Sequence, residues 1–404
     1  MRTDIDPTII AAALDNIRCP ILQVHLFEPG SVNNSFDLSP YIQKFDLTLP
    51  PNNKASIVQI VTANPNGIIS LSPLFTADYE VNVRLGYLTP YGPRLAQIGR
   101  FWLDTPQRQL TANPPQDTIT FQARDAVKIW LERAFTDAET FSLLADGVTT
   151  LRQAIQTTAS YVTVAGQTLG ITFDEDNTTK AILDAPLAAS RLAGPQASSK
   201  TAAALLTDLL STSRLLAYPR WDGTMRIGLM NQQSPVAAVF GGPLAIRRPV
   251  FVRDLKKMSL NTKNWVHVYG TGVVADASDT RNIANVGRVK WAMINDPAIL
   301  TQAAAETRAA QELNLQSRLS EQPDILCPWL PDIERRDLIE IDDEAAMGIP
   351  RGVWRVEDMH FTYTSGTAPD ASMQLGMGKA YADELTLDSA TLYESGGTSI
   401  TGDA

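Results

Sequence analysis

The sequence is poor in the residues that most often announce chemistry. Its 404 residues include two cysteines, Cys19 and Cys327, and three histidines, His25, His267 and His360. Two cysteines are too few for a disulfide framework or a cysteine-rich zinc site. Each is expected as a small buried hydrophobe. The histidines all sit in alternating, strand-like runs without His-x-x-x-His spacing, so none reads as a metal ligand or a base. No run approaches the roughly 18 apolar residues that span a bilayer. The stretch MRTDIDPTIIAAALDNI, Met1 to Ile17, carries three acids and no long apolar core, unlike a secretory signal. The expectation is a soluble protein of a reducing compartment. Positive charge is in deficit as well, with 34 Lys and Arg against 44 Asp and Glu and a net charge of −10. Such a chain repels nucleic acid rather than coating its phosphates.

What is present is ordinary globular material, 44% hydrophobic and 19% charged, enough for two or three cores. Asp6-Pro7 is a cap followed by a first-turn proline and predicts a short helix. CPILQVHLF, YIQKFDLTLP, KASIVQIVTAN, DYEVNVRLGYL, LAQIGRFWLD and DTITFQARD then alternate as strands joined by hairpin-type turns. Without a long helix between them, they predict an antiparallel barrel or sandwich. The character changes at ARDAVKIWLERAF, where Val127, Trp130, Leu131 and Ala134 fall on one helical face. GVTTLRQAIQTTASYV and SSKTAAALLTDLLSTSRLLA are further helices, with strand-like LGITFDED and the hairpin AYPRWDGTMRIGLM turning at Asp222-Gly223. The Pro/Gly-rich FGGPLAIRRPV marks a boundary. Strands resume in FVRDLKKMSL, NWVHVYGTGVVAD and GRVKWAMI, and Asp296-Pro297 opens an Ala-rich helix over about 296–320.

The fold class read from this is mainly β with an α/β insert: two similar antiparallel β-barrel domains flanking a smaller α/β domain. The divisions fall at 1–130, 131–245 and 246–385, with a polar tail at 386–404. An internal echo supports the pairing. IGRFWLDTPQRQLTANPPQDTITFQARD, from Ile98, and RGVWRVEDMHFTYTSGTAPDASMQLGMG, from Arg351, both place a Trp soon after Gly, then a Pro-bearing gap and an alternating strand. Trp102 and Trp354 are expected as corresponding packing residues.

Several stretches imitate chemical motifs and fail on context. Gly270-x-Gly272-x-x-Ala275 follows a strand, but no amphipathic helix follows it, so a plain turn is expected. Gly194 to Thr201 (GPQASSKT) nearly spells a phosphate loop, with Ser199 in place of its second glycine before Lys200-Thr201. It reads as a loop whose serines cap a helix. DEDNTTK has acids in calcium-loop spacing, but Thr179 replaces the glycine and Ala185 the terminal glutamate. Casual cation binding by Asp174 and Asp176 stays open. EIDDE, Glu340 to Glu344, is an acidic turn. No Gly-x-Ser-x-Gly elbow exists. No catalytic, cofactor-binding or metal residue is therefore assigned, no cofactor is expected, and the chain is not expected to be an enzyme.

The layout resembles the central hub proteins of phage tails, a scaffold shared with contractile baseplate hubs and the hub part of type VI secretion spikes. The residues that carry the resemblance are DTITFQARDAVKIWLE, TAAALLTDLLSTSRLLAYPRWDGTMRIG and CPWLPDIERRDLIEIDD with GVWRVEDMHFTYT and ASMQLGMG. It covers about residues 15–385 as a pattern of elements. One departure is RRDL, where the family often has a glycine turn. The resemblance implies a homotrimer whose six barrels adapt a sixfold tail tube to a threefold spike. Its partners are then a tail tube or tube-initiator protein, a spike or central fibre protein, and the tape measure protein. DNA passes only in transit through an acidic channel during ejection, and no membrane is bound stably. The location implied is the virion tail tip or baseplate, assembled in the host cytoplasm. Two other readings are a tail-associated cell-wall hydrolase and a glycan-binding β-rich module using Trp221 and Trp329.

Overall fold

The computed structural model describes the chain apart from residues 1, 3, 16–17, 29–34, 51–53, 71–78, 105, 113–114, 136–149, 187–199, 211–212, 214, 230–234, 242–249, 251, 258–262, 298, 319–320, 343–348, 350, 367 and 381–404. The expected tail at 386–404, most of GPQASSKT, most of the boundary FGGPLAIRRPV and the end of EIDDE lie outside the described residues.

The first part begins with helix α1 (Pro7–Leu14), where the Asp6 carboxylate accepts the Thr8 amide and Pro7 takes the first turn. Strands β1 (Pro20–Phe27), β2 (Ser35–Asp37), β3 (Ile42–Leu49), β4 (Ile57–Ala63), β5 (Glu80–Thr89), β6 (Gly92–Leu103), β7 (Gln107–Ala112) and β8 (Pro115–Arg124) follow. Alternation sets their faces: Val81, Val83, Leu85 and Tyr87 of β5 are all buried. Gly86 is required where β5 and β6 cross closely, since a Cβ there would lie 1.8 Å from the Arg94 carbonyl oxygen.

The insert contains α2 (Ala126–Glu132), α3 (Leu151–Ser160), β9 (Thr163–Val164), β10 (Gln167–Thr168), β11 (Ile171–Phe173), α4 (Asn177–Leu183), α5 (Ala202–Leu210), β12 (Leu215–Pro219) and β13 (Met225–Leu229). Thr150 and Gln153 form a reciprocal capping box on α3. Gly223, at φ +83°, makes the β12–β13 turn where a side chain would be strained. Helix α2 is shorter than its periodicity predicts. It stops at Glu132, so Leu131 is exposed, and Ala134 leaves the helix to bridge Thr201.

Beyond the insert come β14 (Val236–Phe240), β15 (Val252–Lys257), β16 (Trp265–Tyr269), β17 (Val274–Ser278), α6 (Thr280–Val286), β18 (Trp291–Asn295), α7 (Gln302–Arg318), β19 (Glu321–Pro328), β20 (Leu338–Ile341), β21 (Gly352–Thr364) and β22 (Asp370–Lys379). Helix α7 starts later than the Asp296-Pro297 pair predicts. Thr271 bonds the carbonyls of Pro297 and Ile299, which ties that segment to the β16–β17 turn. Thr301 instead accepts the Ala304 amide and caps the helix. Helix α6 is a further departure from the sequence reading. DASDTRNIANVG does hold a helix, capped by Asp279 and closed by Gly287 in the left-handed region.

The molecule is mainly β. A 14-stranded sheet runs β15-β19-β22-β21-β3-β4-β8-β6-β5-β1-β2, with β7, β14 and β20 branching from it. Its pairs are antiparallel except β14–β20, which is parallel. The two β halves meet where β21 pairs β3, Met359 opposite Leu49 through Thr364 opposite Lys44. Among the described residues no pairing closes either half into a barrel. One hydrophobic core joins both halves, from Val24 and Phe121 to Trp329 and Met373. The insert has a second core around Trp130, Ile155 and Leu206. A third is built by β16, β17 and α7 around Val266, Val268 and Ala309.

The internal echo is one of hairpin grammar and not of position. Trp102 is next to last in β6 and belongs to the insert's core, whereas Trp354 is near the start of β21 in the shared core. The gap after Trp102 is itself a strand, β7, while β21 and β22 form one long direct hairpin.

Tyr87 tests the join between the halves. Its hydroxyl donates to the Trp329 carbonyl at 2.8 Å, and both residues are buried. Tyr87→Phe removes that bond with little change of shape. It is expected to cost about 1–2 kcal/mol, read from urea unfolding of the whole chain.

Candidate functional site at a charged junction

The turn between β19 and β20 brings Glu334, Arg335, Arg336 and Asp337 to the place where the first β half, the second and the insert meet. A cavity of about 220 Å³ lies there. Arg2, Arg100, Arg220, Arg226, Arg335 and Arg336 line it, against the carboxyls of Asp125, Glu334 and Asp337. Leu49, Trp329, Met359 and Phe361 give it an apolar wall.

Arg335 is the fork at the centre. One terminal nitrogen donates to the Pro50 carbonyl at 2.8 Å, just past β3, and the other to the Pro219 carbonyl at 3.0 Å, the end of β12. A planar guanidinium suits this task because its donors diverge at fixed angles. Burial lowers the Arg335 pKa, and the charge of Asp125 partly opposes that. Asp125 caps α2 by accepting the Val127 amide at 3.0 Å, and its other oxygen accepts the Ser56 amide at 2.8 Å. Desolvation still raises the Asp125 pKa, against the Ser56 bonds and the Arg335 charge.

Arg336 adopts φ +75°, in the left-handed region that glycine occupies most easily. RRDL thus departs from glycine at a position whose backbone glycine would suit. The conformation is held from three sides. The Arg336 amide donates to Val356 at 2.8 Å, its carbonyl accepts from Arg355 at 2.5 Å, and its side chain pairs with Glu357 at 3.1 Å. Arg2 closes the far side, its guanidinium 4.2 Å from the Trp221 ring centroid and one nitrogen donating to the Gln97 carbonyl at 2.5 Å. Arg226 pairs with the buried Asp174 at 2.5 Å.

The singled-out residues fall elsewhere or take structural roles. Asp176 caps α4 and Asp174 is taken by Arg226, so the calcium-loop look-alike is a helix start. Gly270 and Gly272 form the turn of the antiparallel β16–β17 hairpin. Each histidine faces an acid across a strand pair: His25 with Asp37 at 3.9 Å, His360 with Asp46 at 3.6 Å, and His267 with Asp276. Cys327 is buried as expected, but Cys19 is exposed, because it precedes β1. Trp329 is buried and Trp221 lies under Arg2, so neither offers an open ring to a sugar. Among the described residues no group of three His, Cys, Asp or Glu could hold a metal ion. The sequence reading passed over Arg335 and Arg220. Paired arginines in an acidic chain were the signal available for the first.

No protein-family model matches the sequence, and no curated protein matches it. Solved structures do match. A tail protein from Neisseria meningitidis MC58 is 10% identical with a TM-score of 0.63, over 91% of this chain and 100% of that one. The 43 kDa tail protein of prophage MuSo2 from Shewanella oneidensis is 13% identical with a TM-score of 0.57, over 90% and 100%. The fold is that of phage tail proteins. A chain of the half-lidded Francisella PdpA-VgrG complex shares it at a TM-score of 0.50 and 11% identity, over 92% of this chain and 60% of that chain. This tail-protein fold therefore holds its two β halves and insert together through a charged junction.

Two measurements test the junction. Arg335→Met leaves two carbonyls without their charged donor and is expected to cost about 2–3 kcal/mol. Lys, a single ammonium, recovers less than half, as read from urea midpoints. Burial, then the neighbouring Asp337, raises the Glu334 pKa above its ordinary 4.5. A carboxyl raised in the folded state stabilises below its unfolded pKa and loses that contribution as pH rises through the folded value. Glu334→Gln is therefore expected to gain stability relative to the native chain as pH is raised from about 4.5 toward 8.

Proposed function

We propose that this chain is a structural hub of a phage tail or baseplate, without catalytic activity of its own. What carries the reading is the whole-length match of the fold to two tail proteins, each covered over 100% of its chain. In this proposal three copies assemble, and the two β units of each, within 1–130 and 246–385, form a six-part ring. That ring seats on a sixfold tail tube or tube initiator, with a spike or central fibre below. The tape measure protein is a further contact, DNA passes through the centre during ejection, and the protein resides at the tail tip of the virion.

One surface supports assembly with other chains. β16 and β18 turn Trp265, His267, Tyr269, Trp291 and Met293 away from the α7 core, with Trp291 51% and Met293 71% exposed. Trp291 stacks on His267 with centroids 4.5 Å apart, so the patch is ordered before any contact forms. An exposed, contiguous apolar patch of this kind commonly marks a contact face.

Mass measurement of the purified chain, alone and with a spike partner, tests the proposal. The expected result is a trimer that is weakened by the double change Trp291→Ser and Met293→Ser. A chain that stays monomeric under both conditions overturns the reading. Peptidoglycan cleavage abolished by one carboxylate substitution would replace it with a hydrolase.

A further inference from the structure

The junction cavity carries more donors than the protein uses. Three of its lining residues have a buried nitrogen with no hydrogen-bond partner among the described residues: Arg100 Nε, Arg220 Nε and Trp221 Nε1. All three can donate a proton. None of the lining carboxylates stands in that class, although Asp174, the partner of Arg226, has one oxygen that does. Buried donors without acceptors are costly in a folded chain, of order 1–3 kcal/mol each.

The charge balance points the same way. Six arginines line the cavity against three carboxyls. Asp125 is committed to two backbone amides, and Asp337 accepts the Glu334 amide at 2.9 Å. Four of the arginines have carboxylate partners: Arg2 with Asp4 at 2.8 Å, Arg100 with Glu80 at 2.6 Å, Arg226 with Asp174 at 2.5 Å and Arg336 with Glu357 at 3.1 Å. Among the described residues Arg335 bonds only carbonyls, and the carboxylate paired with Arg220, Asp222, is 3.9 Å away. Arg335 and Arg220 are thus cations whose charge is incompletely met, and both line a space of about 220 Å³. A water share of liquid volume is about 30 Å³, so the space takes a group of several heavy atoms.

We infer that the junction cavity is a binding site for a compact tetrahedral oxyanion of the phosphate class, held by Arg220, Arg335 and the Trp221 indole N–H. Arginine forks and N–H donors are the groups that recognise such oxygens. The anion would bridge the insert, through Arg220 and Trp221, to the β19–β20 turn, through Arg335. Binding would then strengthen the seat of the insert on the β halves. One chain suffices for this, so the test does not depend on assembly into a hub.

The full-length chain is titrated with inorganic phosphate, dimethyl phosphate or acetate at low millimolar concentration, with chloride holding ionic strength constant. Melting temperature and heat of binding are both followed. The expected result is a saturable rise in melting temperature with phosphate that follows ligand linkage. Trp221→Phe, which keeps the ring but loses the N–H, and Arg220→Gln should each weaken phosphate binding about tenfold or more. A response to free phosphate and not to dimethyl phosphate assigns the site to a free anion; the reverse assigns it to a nucleic-acid backbone diester. Either supports an oxyanion of this class. A rise that does not saturate, a response to acetate alone, or binding by both variants as tight as that of the native chain overturns the inference.

Discussion

Everything else in the structure depends on how the insert, with its own core, is fastened to the two β halves that share another. The ends of β3 and β12 each leave a proline carbonyl facing the junction, and a proline offers no amide of its own to a neighbour. Helix α2 must begin there too, with amides that need an acceptor. Arg335 and Asp125 answer these needs as a cation for the carbonyls and an anion for the amides. Bringing ionised groups into a partly desolvated space is costly, and the opposed shifts of Arg335 and Asp125 record that cost. What the arrangement provides is direction. Apolar packing alone tolerates small slides, whereas a fork bonded to two loop ends fixes how the insert sits on the sheet.

The same constraint explains why a non-glycine residue tolerates a left-handed backbone at Arg336. A glycine there would relax the turn but would contribute no charge to Glu357 and no stiffness to the segment presenting Arg335. Strain of this kind persists only where surrounding bonds over-determine the conformation. Val356, Arg355 and Glu357 do so, and all three belong to β21, the strand that also joins the two halves through β3. The junction and the continuous sheet are therefore one mechanical object.

Much of the fold was legible because local signals agreed with tertiary demand. The alternation of DYEVNVRLGYL, the Asp6-Pro7 cap and the Asp222-Gly223 turn all appear where the residues predict. Apart from helix α6, whose Asp279 cap and Gly287 stop are local, the misreadings trace to long-range bonds that no local pattern encodes. Asp296-Pro297 looks like a helix start, but Thr271, some two dozen positions earlier in a hairpin turn, holds that segment out of the helix. Ala134 fits the face of α2, but its pairing with Thr201 draws the chain away. Trp102 and Trp354 echo each other in sequence and end in different cores, because β7 interrupts the first hairpin. The charged junction was least legible of all. Its arginines come from positions 2, 100, 220, 226, 335 and 336, and only folding assembles them.

Their placement also changes what the chain's charge means. The six arginines are matched there by Asp125, Glu334 and Asp337 and by their own partners Asp4, Glu80, Asp174 and Glu357, so the junction is close to balanced. The chain's net charge of −10 is therefore carried elsewhere. Release of counterions from nucleic acid requires exposed Lys and Arg, and a surface short of them gives no electrostatic hold on a phosphate backbone. In the proposed hub this matters for transit: DNA moving past an acidic surface meets repulsion and not a broad electrostatic hold. Pairing the junction arginines with carboxylates therefore serves two ends in that proposal, since the cations that fasten the insert are largely neutralised where they act.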